Sequence, residues 1–334
     1  MARSDQSARR VLVTGAGGFV GGHLAAALIQ RGAEVRAVDH KPPERWYQTH
    51  AAAESIQLDL SRREACEQAV DGIDTVFSLA SDMGGMGFIA GHKAACMLSV
   101  LIDTHMLASA REAGVGRYFY ASSACVYANY RQTSAELEPL READAYPADP
   151  EDGYGWEKLF TERMCRHFAE DFGFETRVAR YHNVYGPNGA WSGGREKAPS
   201  AICRKVAEAV IDGGGEIEIW GDGKQSRSFT FIDDCVRGTI EIAEGPPVEP
   251  INLGSAELVT IDGLVSIVEE IAGAKLRRNY NLDAPQGVRG RNSDNTLFRE
   301  TYDWEPSTPL REGMARTYEW IYDEVAAQRS GKAR

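Results

Sequence analysis

The feature that most narrows what this chain can fold into is "VTGAGGFVGGHL", a G-x-x-G-x-x-G array at Gly15, Gly18 and Gly21 between a strand and a helix. The run before it, "RRVLVTGA", is apolar enough for a strand covered on both faces, and "FVGGHLAAALIQRG" reads as a helix ending at Gly32. Glycines at such a junction permit a tight turn. The helix N-terminus beyond them offers free N–H groups and a positive dipole end to a pyrophosphate. Further strand signals follow at "AEVRAVDH", "SIQLDL", "DTVFSLA", "RYFYASSA" and "ETRVARYHNVYG". Between them lie helical stretches at about 90–113 and at "YGWEKLFTERMCRHFAEDFG", which Gly173 closes. Alternation of this kind predicts βαβ units and an α/β fold with a doubly wound parallel sheet.

After about Gly186 the elements shorten, and Pro and Gly cluster near 187–194, 213–223 and 245–250. The expected division is a nucleotide-binding domain over 1–186, with some later segments returning to it, and a smaller, partly interleaved substrate domain over 187–330. Asp39 ends the second strand, eighteen residues after Gly21, where a carboxylate can accept hydrogen bonds from an adenosine ribose. The pattern is Rossmann-type, and Asp39 favours NAD over NADP because it would repel a 2′-phosphate; Lys41 nearby pulls the other way. Phe19 and Val20 in the turn, and Leu60 beside Asp59, complete the expected cofactor wall. Asp59 either reaches the adenine or caps the next helix.

A net charge of −12 excludes a broad nucleic-acid-binding face but not an anionic small ligand held by a few local cations. The six cysteines (66, 96, 125, 165, 203 and 235) form no C-x-x-C pair and no cluster at zinc spacing, so a reducing compartment and no metal are expected. No run of about 18 apolar residues occurs, and "MARSDQSARR" lacks an apolar leader region. A cytoplasmic protein without membrane partners is the expectation.

"YGWEK" places Tyr154 and Lys158 one helical turn apart on the same face. An ammonium beside a phenol lowers its pKa and makes tyrosinate a usable base. The strand end "YASSA" adds Ser122 and Ser123 as hydroxyl candidates. A Y-x-x-x-K alone is common; behind a glycine-rich dinucleotide turn it gains weight. Taken alone, Cys125 reads as a small buried hydrophobe and Lys197 as a solvated loop charge.

The chain resembles the extended short-chain dehydrogenase/reductase family over nearly its whole length, and within it the GDP-sugar epimerases. The residues that carry this are "DMGGMGF", "ASSACVY", "YGWEK", "HNVYGP", "GGREKAP", "GDGKQSRSFTFIDD" and "GVRGRNSDN". The resemblance implies an NAD-dependent epimerase that oxidises its sugar transiently at C4 and re-reduces it, with no net redox change. It implies a GDP-sugar substrate, GDP-mannose first, inverted at C3 and C5; another GDP-sugar inverted at one centre is the alternative. Tyr154 is then the redox base, Lys158 its partner, Ser123 the hydroxyl at the C4 oxygen, and Cys125 and Lys197 the acid/base pair. A 4,6-dehydratase wants an acidic residue where Cys125 stands, and a non-catalytic dinucleotide sensor would need neither Cys125 nor Lys197.

By the same resemblance Gly84, Gly85 and Met86 face the hexose, with Met83 and Phe88 as further apolar walls, and Ala124 lies beside Ser123 and Cys125. Asn183, Glu196, Ala198, Lys205, Gln225 and Arg227 surround the sugar and nucleotide. Arg289 or Arg291 takes the diphosphate, because a guanidinium fork matches phosphate oxygens. A homodimer is implied too, packed through helices at roughly 90–113 and 154–171.

Overall fold

The computed structural model describes residues 9–246 and 249–331; most of "MARSDQSARR" lies outside them. The chain runs β1 (Arg10–Thr14), α1 (Phe19–Gln30), β2 (Glu34–Asp39), β3 (Glu54–Gln57), α2 (Arg63–Val70) and β4 (Thr75–Ser78). Three helices follow in series, α3 (Met86–Gly91), α4 (Lys93–Met97) and α5 (Ser99–Glu112). Then come β5 (Arg117–Ser123), α6 (Tyr154–Phe172), β6 (Thr176–Tyr181), β7 (Val184–Tyr185), α7 (Ala198–Asp212) and β8 (Glu216–Trp220). The remainder is β9 (Ser226–Ser228), β10 (Thr230–Phe231), α8 (Ile232–Glu244), β11 (Ile251–Leu253), β12 (Leu258–Thr260) and α9 (Ile261–Ala272). It closes with β13 (Arg277–Asn281), β14 (Gly290–Arg291), α10 (Thr296–Tyr302) and α11 (Leu310–Arg329).

Seven strands form one parallel sheet in the order β11-β6-β5-β4-β1-β2-β3. The chain winds outward from β1 through β2 and β3, then crosses back to β4, so the strand order reverses between β1 and β4. The carboxyl ends of strands at such a reversal open a crevice, and Gly15, Asp39, Leu79 and Ser123 all stand there. The central strands are buried on both faces: Val11, Leu12 and Val13 of β1 and all four residues of β4. Edge strand β3 is polar and largely exposed. The largest apolar cluster joins Val11, Leu24 and Phe77 to Ile202, Val206, Leu264 and Met314, so the later segments pack onto the sheet rather than stand apart. Among the described residues no helix is long and apolar enough to cross a membrane.

Two elements differ from the sequence expectation. The helical stretch at 90–113 is broken at His92 and Leu98, where the His92 ring stacks on Phe88 and its Nδ1 meets the Phe88 carbonyl at 3.0 Å. "ETRVARYHNVYG" is not one strand. Asn183 takes a positive φ of 46°, uncommon outside glycine, and turns the chain so that β7 pairs with β10 instead of extending the main sheet.

Candidate active site

A cavity of about 1320 Å³ runs from the glycine turn, past the ends of β4 and β5, to a strap at 285–291. At its first end, Gly15 (φ 68°) sits so close to the β4 exit that a Cβ would lie 3.1 Å from the Ala80 backbone; at Gly21 a Cβ would lie 2.3 Å from the Gly15 carbonyl oxygen. No side chain caps α1, so its first N–H groups remain available to an anion. Asp39, 6% exposed, accepts from the Gly17 N–H at 3.1 Å and the Lys41 N–H at 3.0 Å. Lys41 turns its ammonium onto the Gly17 carbonyl at 3.0 Å, which removes it as a free partner for a 2′-phosphate. Phe19, Val20, Asp59 and Leu60 also line this end. Asp59 does not cap α2, whose cap residue is Arg62. Its carboxylate accepts from the Ser61 hydroxyl and backbone N–H, which hold its pKa below the usual value. An uncapped helix end, a turn too tight for side chains and an acceptor at the ribose position fit a dinucleotide.

The middle of the cavity holds Ser123, Cys125, Tyr154 and Lys158. Tyr154 opens α6 directly after Gly153 (φ 112°), and one turn on, Lys158 places its Nζ 5.6 Å from the centre of the Tyr154 ring. Burial pushes the Tyr154 phenol up, and the Lys158 charge works against that. Lys158 donates to the Tyr120 hydroxyl at 3.0 Å. Ser122 is buried, donating to Glu162 at 2.5 Å, and Glu162 in turn pairs with buried Arg180. Both serines line the cavity, but the Ser122 proton is engaged by Glu162, whereas the Ser123 Oγ accepts from the Cys125 N–H at 3.2 Å. Ala124 does not line the cavity. It is 1% exposed and packs into a separate cluster with Val126, Tyr127 and Leu140, because the short turn at 124–126 sends alternate side chains opposite ways.

Arg291, a sequence candidate for the diphosphate, is held elsewhere. Its Nε donates to Gln132 at 2.6 Å, and its Nη1 donates to the Cys125 thiol at 3.3 Å. Arg289 reaches the rim in a half-buried pair with Asp222 at 2.8 Å. Arg227 is tied to the carbonyls of Ser226, Gln286 and Val288; burial, with Arg291 and Arg289 close by, pulls its pKa below an arginine's ordinary value. Lys197 is the N-cap residue of α7, where its carbonyl accepts from the Ala201 N–H at 2.9 Å, and among the described residues its ammonium has no hydrogen-bond or ion-pair partner. Burial lowers its pKa, and the charge of Arg291 adds to that.

The loops at 84–87 and 194–198 are packed on one another. The Gly85 N–H donates to the Arg195 carbonyl at 3.0 Å, and a Cβ on Gly85 would stand 2.3 Å from the Glu196 carbonyl oxygen. These glycines therefore serve loop against loop as well as facing the cavity with Met83 and Met86. Phe88, expected as a cavity wall, lies outside it, sandwiched between His92 and the Arg195 guanidinium. Glu196 bonds the Gly194 N–H and pairs with Arg204, a clamp that shapes the loop. Lys205 pairs with Glu218, and Gln225 donates to the Trp220 carbonyl while its Oε1 is buried without a partner. Ala198 and Asn183, which donates to the Ser228 carbonyl at 2.9 Å, complete this wall. Sequence reasoning missed Gln132, Tyr120 and Asp103. Each acts through a partner far away in the chain, so no local spacing marks it.

Residues 11–254 match the NAD dependent epimerase/dehydratase family. GDP-mannose 3,5-epimerase 1 of Oryza sativa subsp. japonica is 44% identical over 322 residues, covering 96% of this chain and 84% of that protein. Among solved structures, UDP-glucose 4-epimerase of Thermotoga maritima with UDP-glucose superposes with a TM-score of 0.83 at 25% identity, covering 95% and 99% of the two chains. MoeE5 in complex with UDP-glucose and NAD does so with a TM-score of 0.78 at 29% identity, again covering 95% and 99%.

Proposed function

Because the chain belongs to the NAD-dependent epimerase/dehydratase family, we propose that it is a GDP-mannose 3,5-epimerase. The observation that carries this reading is Lys197, an ammonium without a protein partner, on the same cavity as the Cys125 thiol and the Tyr154–Lys158 pair. A simple 4-epimerase needs only the last two. Residues 15–21 and Asp39 would hold NAD, and residues 187–330 would mainly hold the nucleotide-sugar. NAD supplies reversible oxidation at C4 of the bound sugar.

Tyr154 takes the C4 hydroxyl proton, with Ser123 holding that oxygen and Lys158 stabilising the tyrosinate. A C4 ketone makes the hydrogens at C3 and C5 acidic. Cys125, with Arg291 donating to its sulfur, removes one of these protons as a thiolate, and Lys197 delivers a proton from the other face. Arg227 and Arg289 take the diphosphate: Arg289 needs only to leave a half-buried rim ion pair, and an incoming anion relieves the charge crowding at Arg227.

Incubation with GDP-mannose in deuterated water, followed by NMR, tests the reading. Deuterium at C3 and C5 of inverted product supports it. Exchange at one centre alone points to single-centre epimerisation, and absence of exchange overturns it.

The reading extends to a homodimer. Met97, Leu98 and Leu101 stand exposed on the 93–112 stretch, beside exposed Trp156 and Phe160 on α6. A second copy would cover this apolar face, and light scattering on the purified protein decides the mass. Trp156, 44% exposed, does not line the cavity.

A further inference from the structure

Behind Lys158 lies a group that the proposed chemistry does not use. Asp103 on α5 is 0% exposed and Glu157 on α6 is 3% exposed, and both approach one phenol, Tyr120 of β5. The Tyr120 oxygen is 2.9 Å from Asp103 Oδ2 and 3.1 Å from Glu157 Oε1, while Lys158 Nζ donates to it at 3.0 Å. Thr161 donates to Asp103 Oδ2 at 3.2 Å. The second oxygens, Asp103 Oδ1 and Glu157 Oε2, are buried without hydrogen-bond partners, although Glu157 Oε2 is 3.6 Å from Lys158 Nζ.

A phenol has one proton to give. With Lys158 donating to its oxygen, Tyr120 can satisfy only one of the two carboxylates; the other would set lone pair against lone pair unless it carries a proton itself. Charge points the same way: one buried ammonium balances one buried carboxylate, and a second would stand uncompensated. We infer that Asp103 and Glu157 share a single proton beneath Lys158, and that through Tyr120 they are positioning residues for the Tyr154–Lys158 pair. Burial, with Asp103 beside it, pushes the Glu157 carboxyl up against the opposing charge of Lys158. The other titratable groups around the cluster are Tyr118 on β5, Tyr154, Glu162 and Cys165 on α6, and Cys66 on α2. Tyr118 and both thiols are pushed up by burial and stay neutral, Glu162 is paired with Arg180, and Tyr154, pushed up by burial against the charge of Lys158, is the group whose ionisation the cluster governs.

The arrangement holds Lys158 charged without over-neutralising it. When pH rises enough to strip the shared proton, two carboxylates face one ammonium, and the surplus negative charge opposes ionisation of Tyr154. Loss of either carboxyl leaves one carboxylate against Lys158 and nothing to strip. Loss of both leaves Lys158 buried with no anion beside it, so it sheds its proton and Tyr154 loses its activator.

This inference rests on Tyr154 and Lys158 serving the redox step, and the test separates the two. Difference infrared spectra of the purified protein, with no sugar present, should show at neutral pH a protonated-carboxyl C=O band that is missing in both Glu157→Gln and Asp103→Asn. In single-turnover reduction of bound NAD by GDP-mannose, a step that does not need Lys197, the wild type should slow at alkaline pH and either single variant should not. Each single should reduce the rate less than about tenfold, while the double variant should lose about 10²-fold or more. Thermal unfolding confirms that each variant is folded. The inference is overturned if the band survives in either single, or if the double loss is the product of the single losses. A missing band in a protein that never reduces its NAD with any GDP-sugar would leave the shared proton standing and remove the redox assignment instead.

Discussion

At the dinucleotide end of the cavity, one turn of chain (15–21) and one carboxylate at the next strand end supply the cradle, all within a single βαβ unit. The far end draws on 83–87, 125–132, 195–205, 218–229 and 285–291, brought together by loop packing and by arginines bonded to backbone carbonyls. The first end is rigid because its parts are fastened to a buried parallel sheet. The second holds shape only while distant loops stay in register, so it can be retuned by a change in any of them. A common cofactor with variable sugars suits that division of labour.

The largest expected effects fall where the two ends meet. Tyr154→Phe should lower NAD reduction and all later steps together by about 10²–10⁴-fold. Cys125→Ala should still reduce its NAD on addition of substrate, seen as NADH absorbance, while deuterium stays out of C3 and C5. Normal inversion in that variant would show that the thiol belongs to packing rather than chemistry.

Lys197 sharpens the contrast next, since it exists for the sugar end alone. In Lys197→Ala, inverted product should fall by about 10²–10⁴-fold, with some exchange persisting with retained configuration. Lys197→Arg should rescue little, because a guanidinium hardly releases its proton. A lysine that merely binds phosphate predicts the reverse, with Arg keeping most of the rate and Ala raising mainly KM. Burial lowers the Lys197 pKa, and the acid must be protonated. Inversion should therefore be present below an alkaline limb and lost as pH rises through it, with the limb lying beneath the ordinary lysine value of about 10.4. A limb unmoved by Lys197→Ala would assign it to another group.

The same methyl group can then be placed at each end. Gly21→Ala and Gly85→Ala each bring a Cβ to 2.3 Å of a backbone carbonyl oxygen. On the sheet-anchored turn the overlap has no cheap escape, so Gly21→Ala should lose bound NAD and about 1–3 kcal/mol of stability in denaturant melts. Between two loops it can be relieved by sliding, so Gly85→Ala should keep its NAD and raise KM for the sugar nucleotide. Equal loss of NAD in both would erase the distinction.

Asp39→Ala should give the smallest change, weakening NAD roughly tenfold, as expected for lost hydrogen bonds to a charged group. NADP should be weakened less. Equal affinity of the unaltered protein for both cofactors would remove discrimination from Asp39.

The sequence by itself determined the doubly wound parallel sheet, the glycine turn, the position of Asp39 and the one-turn spacing of Tyr154 and Lys158, because each is written within a strand, a turn or a helix face. Periodicity and spacing are local, so they can be read without knowing any long-range contact. Only the tertiary structure decided that Arg291 lies on Gln132 and the Cys125 thiol, that Phe88 and Ala124 turn away from the cavity, and that Gly85 meets the Glu196 carbonyl. It alone placed Asp103, Tyr120 and Glu157 behind Lys158. The hydrogen-bonded pairs among them stand 17 to 166 residues apart in the chain, and the direction in which each side chain points is set by packing between elements, which no spacing within one element records.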